Sequence, residues 1–143
     1  MVNSILTAIS QALDAEFGYP IYADSIEQNL KAPCFLITPL TQSEKHIINE
    51  RYEKNIHFII QYFPKAKRYH MECNEVAEKM TSTLFELHTD DGIIRAVGEM
   101  GAETVDGVLN FTVHYKPFVI RVRKDNEDSE LMGTLEATTT VKE

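Results

Sequence analysis

The stretch Ile56–Phe63, "IHFIIQYF", constrains the fold more than any other. Read with the two-residue period of a strand, Ile56, Phe58, Ile60 and Tyr62 share one face, while His57, Ile59, Gln61 and Phe63 share the other. Both rows are largely apolar, which predicts a central strand covered on both sides rather than an edge strand. Such a strand needs neighbours to pair with and helices to cover it, and the rest of the chain supplies candidates for both.

Two segments carry the helical period. Val2, Ile5, Leu6, Ile9, Ala12, Leu13 and Phe17 recur at spacings of three and four, an amphipathic helix that Gly18 is placed to stop. Lys67 to His88 is the second expected helix. Tyr69, Cys73, Val76, Ala77, Met80, Leu84 and Leu87 form its apolar stripe, and Glu72, Glu75, Glu78 and Lys79 face water. "TDDG" at Thr89–Gly92 then supplies turn chemistry.

The remaining elements read as strands and turns. Pro20 makes "YPIYAD" a short extended piece. Cys34 to Leu40 is a short apolar run, and the polar Thr41–Asn55 that follows fits either a long hairpin arm or a loop. "IIRAVGEM" and "GVLNFTVHYKPFVIRVRK" are strand candidates around Asp106-Gly107, a strong hairpin signal. "GEMG" reads as a bulge or turn, and Pro117 as a bulge, edge or break. The order of helix, strands, helix, strands and tail predicts an α+β fold: a mostly antiparallel sheet, two main helices on one side and an extended C-terminal tail. Of the 143 residues, 43% are hydrophobic and 25% charged, enough for one domain with a real core. That domain is expected over residues 1–124, with an acidic linker and extended arm over 125–143.

Few residues suggest chemistry. His70 and Cys73 lie three apart on a helix and share a face, but Cys73 belongs to the apolar stripe and no second ligand pair accompanies them. His57 and His114 sit on strand candidates as prospective cross-strand neighbours, which packing explains as well as catalysis does. Asp90 and Asp91 precede a glycine, as turn residues do. No nucleophile elbow, zinc-protease helix, phosphate loop or dinucleotide fingerprint occurs. The expectation is therefore no catalytic set, no cofactor and no metal, with a small metal-dependent hydrolase using His70, Cys73 and Asp90 or Asp91 as the enzyme alternative.

Charge and cysteine content narrow the partners. Acidic residues outnumber basic ones 22 to 14, a net charge of -8. A protein living on phosphate contacts shows the opposite bias, so sequence-specific nucleic acid is not expected as a partner. The basic clusters Lys65–Arg68 and Arg121–Lys124 sit at the ends of apolar runs, where solvated element ends explain them. Two cysteines among apolar neighbours are too few for a disulfide framework. No apolar run approaches the ~18 residues of a membrane span, and the first residues lack a signal-peptide pattern. A reducing cytoplasm, with no membrane partner, is the expected setting.

The end of the chain bears on function. After the acidic run Lys124–Glu130, Leu131, Gly133, Leu135, Ala137, Thr139 and Val141 alternate with Met132, Thr134, Glu136, Thr138 and Thr140, yet without hydrophobic mass. Such a tail either frays or adds a strand to the sheet edge of another subunit. "SIEQNLKAPCFLI", "RYEKNIHFIIQYFP", the helix containing "NEVAEKM" and "DGVLNFTVHY" together resemble the phage tail terminator proteins of phages infecting low-GC Gram-positive bacteria, and of related phage-tail-like particles. The resemblance runs from the first helix through Tyr115 and does not extend past Lys124.

This resemblance implies a structural protein. Tail terminators form a homo-hexameric ring on the head-proximal end of the tail tube, stop its polymerisation and offer a surface to neck or head-completion proteins. In contractile tails they also meet the last ring of the tail sheath protein. The implied partners are other copies of the chain, the tail tube protein, the sheath and the neck, with assembly in the host cytoplasm and then residence in the particle. Another neck component, such as a head–tail connector, is the alternative within this class. An acidic surface also suits a lumen through which DNA passes without sticking. The residues expected at interfaces are Thr41, Gln42, Glu44, Lys45, His46 and Arg51 of the polar arm, and Leu131, Met132, Leu135, Thr138 and Val141 of the tail.

Overall fold

Helix α1 (Val2–Phe17) forms where the apolar period places it and ends at Gly18, whose φ of 75° is the left-handed cap expected there. Its Ile5, Ala8, Ile9 and Leu13 are buried. The structure, a computed structural model, describes residues 1–23, 31–124 and 138–141. The chain divides into two units, described separately: Met1–Gln42 with Asn55–Lys116, and Ser43–Lys54 with Pro117–Glu143.

In the first unit a short strand β1 (Ile21–Ala23) runs parallel to the start of β2 (Cys34–Ile48), with Ile21 opposite Phe35. Strand β3 (Arg51–Phe63) follows β2 as the second limb of a long hairpin. Thr41–Asn55 is thus strand on both sides of a turn at Asn49 and Glu50, the first of the two alternatives its polarity left open. Asn49 holds a φ of 52°, a conformation its short polar side chain tolerates better than most.

Helix α2 (Tyr69–Phe85) is shorter than the apolar stripe predicts. The backbone turns extended at Glu86, and β4 (Glu86–Thr89) pairs with β5 (Gly92–Arg95) around Asp90 and Asp91. Leu87 is buried as the stripe requires, but as a strand residue opposite Ile94. Thr89 locks the turn: its Oγ1 accepts from Asp91 N at 3.1 Å and donates to Gly92 O at 2.9 Å. Glu86 and Arg95, direct cross-strand partners, form an ion pair at 3.7 Å.

Strands β6 (Gly101–Val105) and β7 (Val108–Tyr115) form the hairpin that Asp106-Gly107 signals. Both turn residues have positive φ, 54° and 80°, as the favoured two-residue hairpin turn demands. The strand order of this sheet is β1-β2-β3-β7-β6, antiparallel apart from the β1–β2 pair, so the fold is α+β with a mostly antiparallel sheet.

The core forms where one sheet face meets both helices. Phe35, Ile37, Ile56, Phe58, Ile60, Tyr62, Leu109, Phe111, Val113 and Tyr115 from the strands pack with the buried faces of α1 and α2. Phe17, Tyr19, Phe35 and Tyr62 stack in an aromatic group with ring centroids 5.1–6.2 Å apart. Tyr115 donates its hydroxyl to Leu84 O at 2.6 Å, satisfying a carbonyl in the last turn of α2. Burial holds the Tyr115 phenol well above its ordinary range.

The second row of β3 departs from the expectation of cover on both sides. β3 is central, between β2 and β7, but His57, Ile59, Gln61 and Phe63 are only half-buried. Their apolar content signals a central strand and does not report how many layers lie over it. Glu72 also departs from its expected place among the solvated residues of α2. Its carboxylate accepts from the Tyr62 hydroxyl, from Lys65 N at 3.1 Å and from Ala66 N at 3.1 Å, tying the loop before α2 to β3. Burial alone would raise the Glu72 carboxyl, but the hydrogen bond from Tyr62 and the two backbone donors outweigh it and hold it below the usual range. Tyr62 moves the other way, raised first by burial and then by its bond to the Glu72 carboxylate.

Candidate assembly surface

The second unit is built from the outer limbs of the β2–β3 hairpin, Ser43–Lys54, together with Pro117–Glu143. Lys116 and Pro117 break the chain between β7 and β8 (Phe118–Lys124), one of the three outcomes, bulge, edge or break, that Pro117 left open. β8 pairs antiparallel with β3, Arg51 opposite Ile120 and Glu53 opposite Phe118, and Lys54 N donates to Pro117 O at 2.9 Å. β9 (Thr138–Val141) in turn pairs with β8, Val141 opposite Arg121 and Thr138 opposite Lys124.

Side-chain contacts identify the two faces of this small sheet. Lys54 and Glu44 form an ion pair at 3.8 Å, and the His46 ring lies 4.9 Å from that of Tyr52. His46 Nε2 also meets Asn49 O at 2.7 Å at the tip. Glu44, His46, Tyr52 and Lys54 therefore share one face. Alternation puts Lys45, Ile47, Arg51 and Glu53 on the other, and the β3–β8 register adds Phe118 and Ile120 to it.

That second face is unusual for a water-exposed sheet. Ile47 is 45% exposed, Phe118 65% and Ile120 59%, flanking a central charged pair of Arg51 and Glu53. Exposed single hydrophobics are normal, but several on one face of one small sheet mark a contact surface. Three acidic residues (Glu44, Glu50, Glu53) and three basic ones (Lys45, Arg51, Lys54) alternate through Ser43–Lys54, so the arm itself is charge-balanced in a strongly acidic chain.

Of the expected interface residues, Glu44, Lys45, His46 and Arg51 fall on this sheet, and Thr41 and Gln42 lie just before it on β2, all exposed. Thr138 and Val141 lie on β9. Leu131, Met132 and Leu135 lie outside the described residues. Sequence reasoning missed Ile47, Phe118 and Ile120, because apolar residues in a strand read as core until their exposure is known.

Of the residues weighed for chemistry, His57 and His114 meet as cross-strand partners with ring centroids 3.9 Å apart, whereas His70, Cys73, Asp90 and Asp91 are not brought together by any contact among the described residues. Cys73 is buried in the core, its thiol raised by desolvation, while His70 is exposed with its ring 4.5 Å from that of Tyr69. Asp90 and Asp91 occupy an exposed turn. The concavity beside Asp90, about 90 Å³, is lined by Ser4, Thr7, Ala8, Gln11, His88 and Thr89. Ser4 donates its hydroxyl to Met1 O at 2.8 Å, and His88 Nε2 lies 4.0 Å from the Glu86 carboxylate. Among the described residues no three His, Cys, Asp or Glu side chains gather in a metal-binding group, and no helix is long and apolar enough to cross a membrane.

A search of curated proteins returns no match. A family model described as "Phage tail terminator protein" matches residues 4–128, reaching from α1 through β8 and so including both limbs of the arm. With that match over most of its length, the chain belongs to the phage tail terminator family, whose members are structural proteins of the tail.

Proposed function

We propose that this protein assembles as a homo-hexameric ring on the head-proximal end of a tail tube. There it stops tube polymerisation and presents the surface to which neck or head-completion proteins attach. In a contractile tail the ring also meets the last turn of sheath. Assembly takes place in the host cytoplasm, and the ring then stays with the particle.

The observation that carries this reading is the small sheet of Ser43–Lys54, β8 and β9, with Ile47, Phe118 and Ile120 exposed around Arg51 and Glu53. A closed ring needs a heterologous contact, in which one patch meets a different patch on the next copy. An apolar surface with a charged centre gives such a contact both burial and register. Strand edges add a second means. Among the described residues β9 has a partner only in β8, and β2 is paired with β1 only through Ile37 on the side away from β3, so Thr41, Gln42, Lys45 and His46 lie along a strand edge suited to augmentation.

The double substitution Phe118→Ser with Ile120→Ser tests the surface. Both side chains are exposed, so the melting temperature is expected to stay near wild type while ring formation in sedimentation and capping of tubes are lost. Rings of normal mass and activity from the folded variant would refute the assignment. A chain ending at Lys124 tests the tail in the same assays. Capping at wild-type efficiency would remove Leu131, Met132, Leu135, Thr138 and Val141 from the interface.

A further inference from the structure

The open face of the first unit's sheet repeats, with the opposite charge, the pattern of the exposed arm face. On β6 and β7, Gly101, Glu103 and Val105 stand opposite Thr112, Asn110 and Val108. Alternation puts all six on the face away from the core residues Leu109 and Phe111. Ile59 of β3 joins them there, paired with Thr112. Glu103 is exposed, Val105 is 45% exposed, and Ile59 and Val108 are half-buried. An acidic residue thus lies between apolar ones, where on the arm Arg51 lies among Ile47, Phe118 and Ile120.

This face is also grooved and locally acidic. Ile59, Gly101, Ala102, Glu103, Asn110 and Thr112 line a groove of about 570 Å³. Gly101 keeps it clear: a Cβ there would lie 3.1 Å from Thr112 Oγ1, and a longer side chain would project from the same face as Glu103. Residues 98–107 contain Glu99, Glu103 and Asp106, all exposed, and no lysine or arginine. Among the described residues none of these three carboxylates is in an ion pair. The arm face has the reverse balance, with Lys45 and Arg51 exposed and Glu53 half-buried.

We propose that this groove is the second half of the ring contact: the arm face of one copy docks on the face of the next copy that carries Ile59, Glu103 and Val105, with Arg51 set against Glu103. The inference rests on the ring put forward above and names the unlike patch that a heterologous contact requires. Ile47, Phe118 and Ile120 then bury apolar surface against Ile59, Val105 and Val108. The opposite charges steer the approach and fix the register, and an arginine forks onto a carboxylate through two N–H donors. Because each copy carries both patches, the contact passes from copy to copy as ring closure needs.

The test is a charge exchange, read by sedimentation of the full chain alone and by its capping of tail tubes. Arg51→Glu and Glu103→Arg should each weaken association of copies by at least about tenfold. The double variant should recover most of that loss. An equimolar mixture of the two single variants should recover it too, since every arm then meets a groove of opposite charge on the other variant. Glu78→Arg, the same change of charge on the exposed face of α2, should leave association near wild type. Should a charge variant fail to fold, Ile120→Cys chains mixed with Glu103→Cys chains and oxidised decide, the native Cys34 and Cys73 being buried. A disulfide-linked pair of the two supports the contact. Rings that neither single variant disturbs, a loss that neither the double variant nor the mixture restores, or capped tubes without the cross-link would overturn the groove as partner and leave the terminator reading standing. A wild-type chain that neither associates nor caps tubes would fail that reading itself, and this inference with it.

Discussion

Tyr62 and Glu72 join β3 to the start of α2, and their bond predicts an asymmetry between two substitutions. Tyr62 is fully buried, whereas Glu72 is half-buried and borders an exposed loop. Tyr62→Phe removes the hydroxyl but leaves a carboxylate that still accepts from Lys65 N and Ala66 N and that water reaches. The expected cost is about 1–1.5 kcal/mol, at the low end of the ~1.5–3 kcal/mol typical of a hydrogen bond to a charged group, because water reaches this carboxylate. Glu72→Ala instead leaves the buried Tyr62 hydroxyl without its acceptor, for about 1–3 kcal/mol, while the loop amides return to solvent. Chemical denaturation of the two single variants and the double variant gives the coupling, expected to exceed the ~0.5 kcal/mol scatter of independent sites.

The pH dependence carries the sign of each shift. The Glu72 carboxyl titrates below its ordinary 4.5 in the folded state, so its contribution is present above that pH and is lost as pH falls through the folded value. The gap between wild type and Glu72→Gln should therefore shrink on acidification from about pH 5 downward. Tyr62 titrates above its ordinary 10.0, so its contribution is present below that pH and is lost as pH rises toward the folded value. Additive single substitutions, or a gap that is flat in acid, would refute this account of the joint.

Phe58 is fully buried and meets the Tyr115 ring edge-on at 6.4 Å, so Phe58→Ala should cost about 3–5 kcal/mol. At about 2–4 °C per kcal/mol that lowers Tm by roughly 6–20 °C, and a calorimetric shift under 3 °C would contradict the burial. Gly107 sits at a φ of 80° with the Tyr69 ring at an ordinary 3.7 Å from where a Cβ would be, so Gly107→Ala costs backbone strain alone, about 1–2 kcal/mol by denaturation. A stabilised variant would mean the turn is formed differently. Cys34 and Cys73 are buried and both thiols are pushed up by desolvation, so a thiol reagent should modify native protein only as it unfolds and denatured protein at once.

Local patterns anticipated the elements whose causes are local. The αL stop at Gly18, the Asp106-Gly107 turn and the break at Pro117 each follow from one or two residues. The His57–His114 pairing followed from two alternating runs joined in register. Other features depend on partners distant in the chain. Leu87 continues the stripe of α2, and the helical period alone does not reveal that the backbone turns extended one residue earlier to pair with Arg95. Glu72 reads as one more solvated acid until Tyr62, ten residues away, is seen to donate to it. On the arm the same limit hides function: Ile47, Phe118 and Ile120 have the composition of core residues, and exposure alone marks them as a surface for contact.

The central claim is that this protein ends the tail. Electron microscopy of tails from particles lacking its gene tests that claim most directly, with purified protein added back to the same preparation. The account predicts tubes of uncontrolled length without necks, restored to a normal end by the wild-type chain and not by the Phe118→Ser, Ile120→Ser variant. Tails of normal length that merely fail to join heads would contradict it and assign the protein to the connection rather than to the end of the tube.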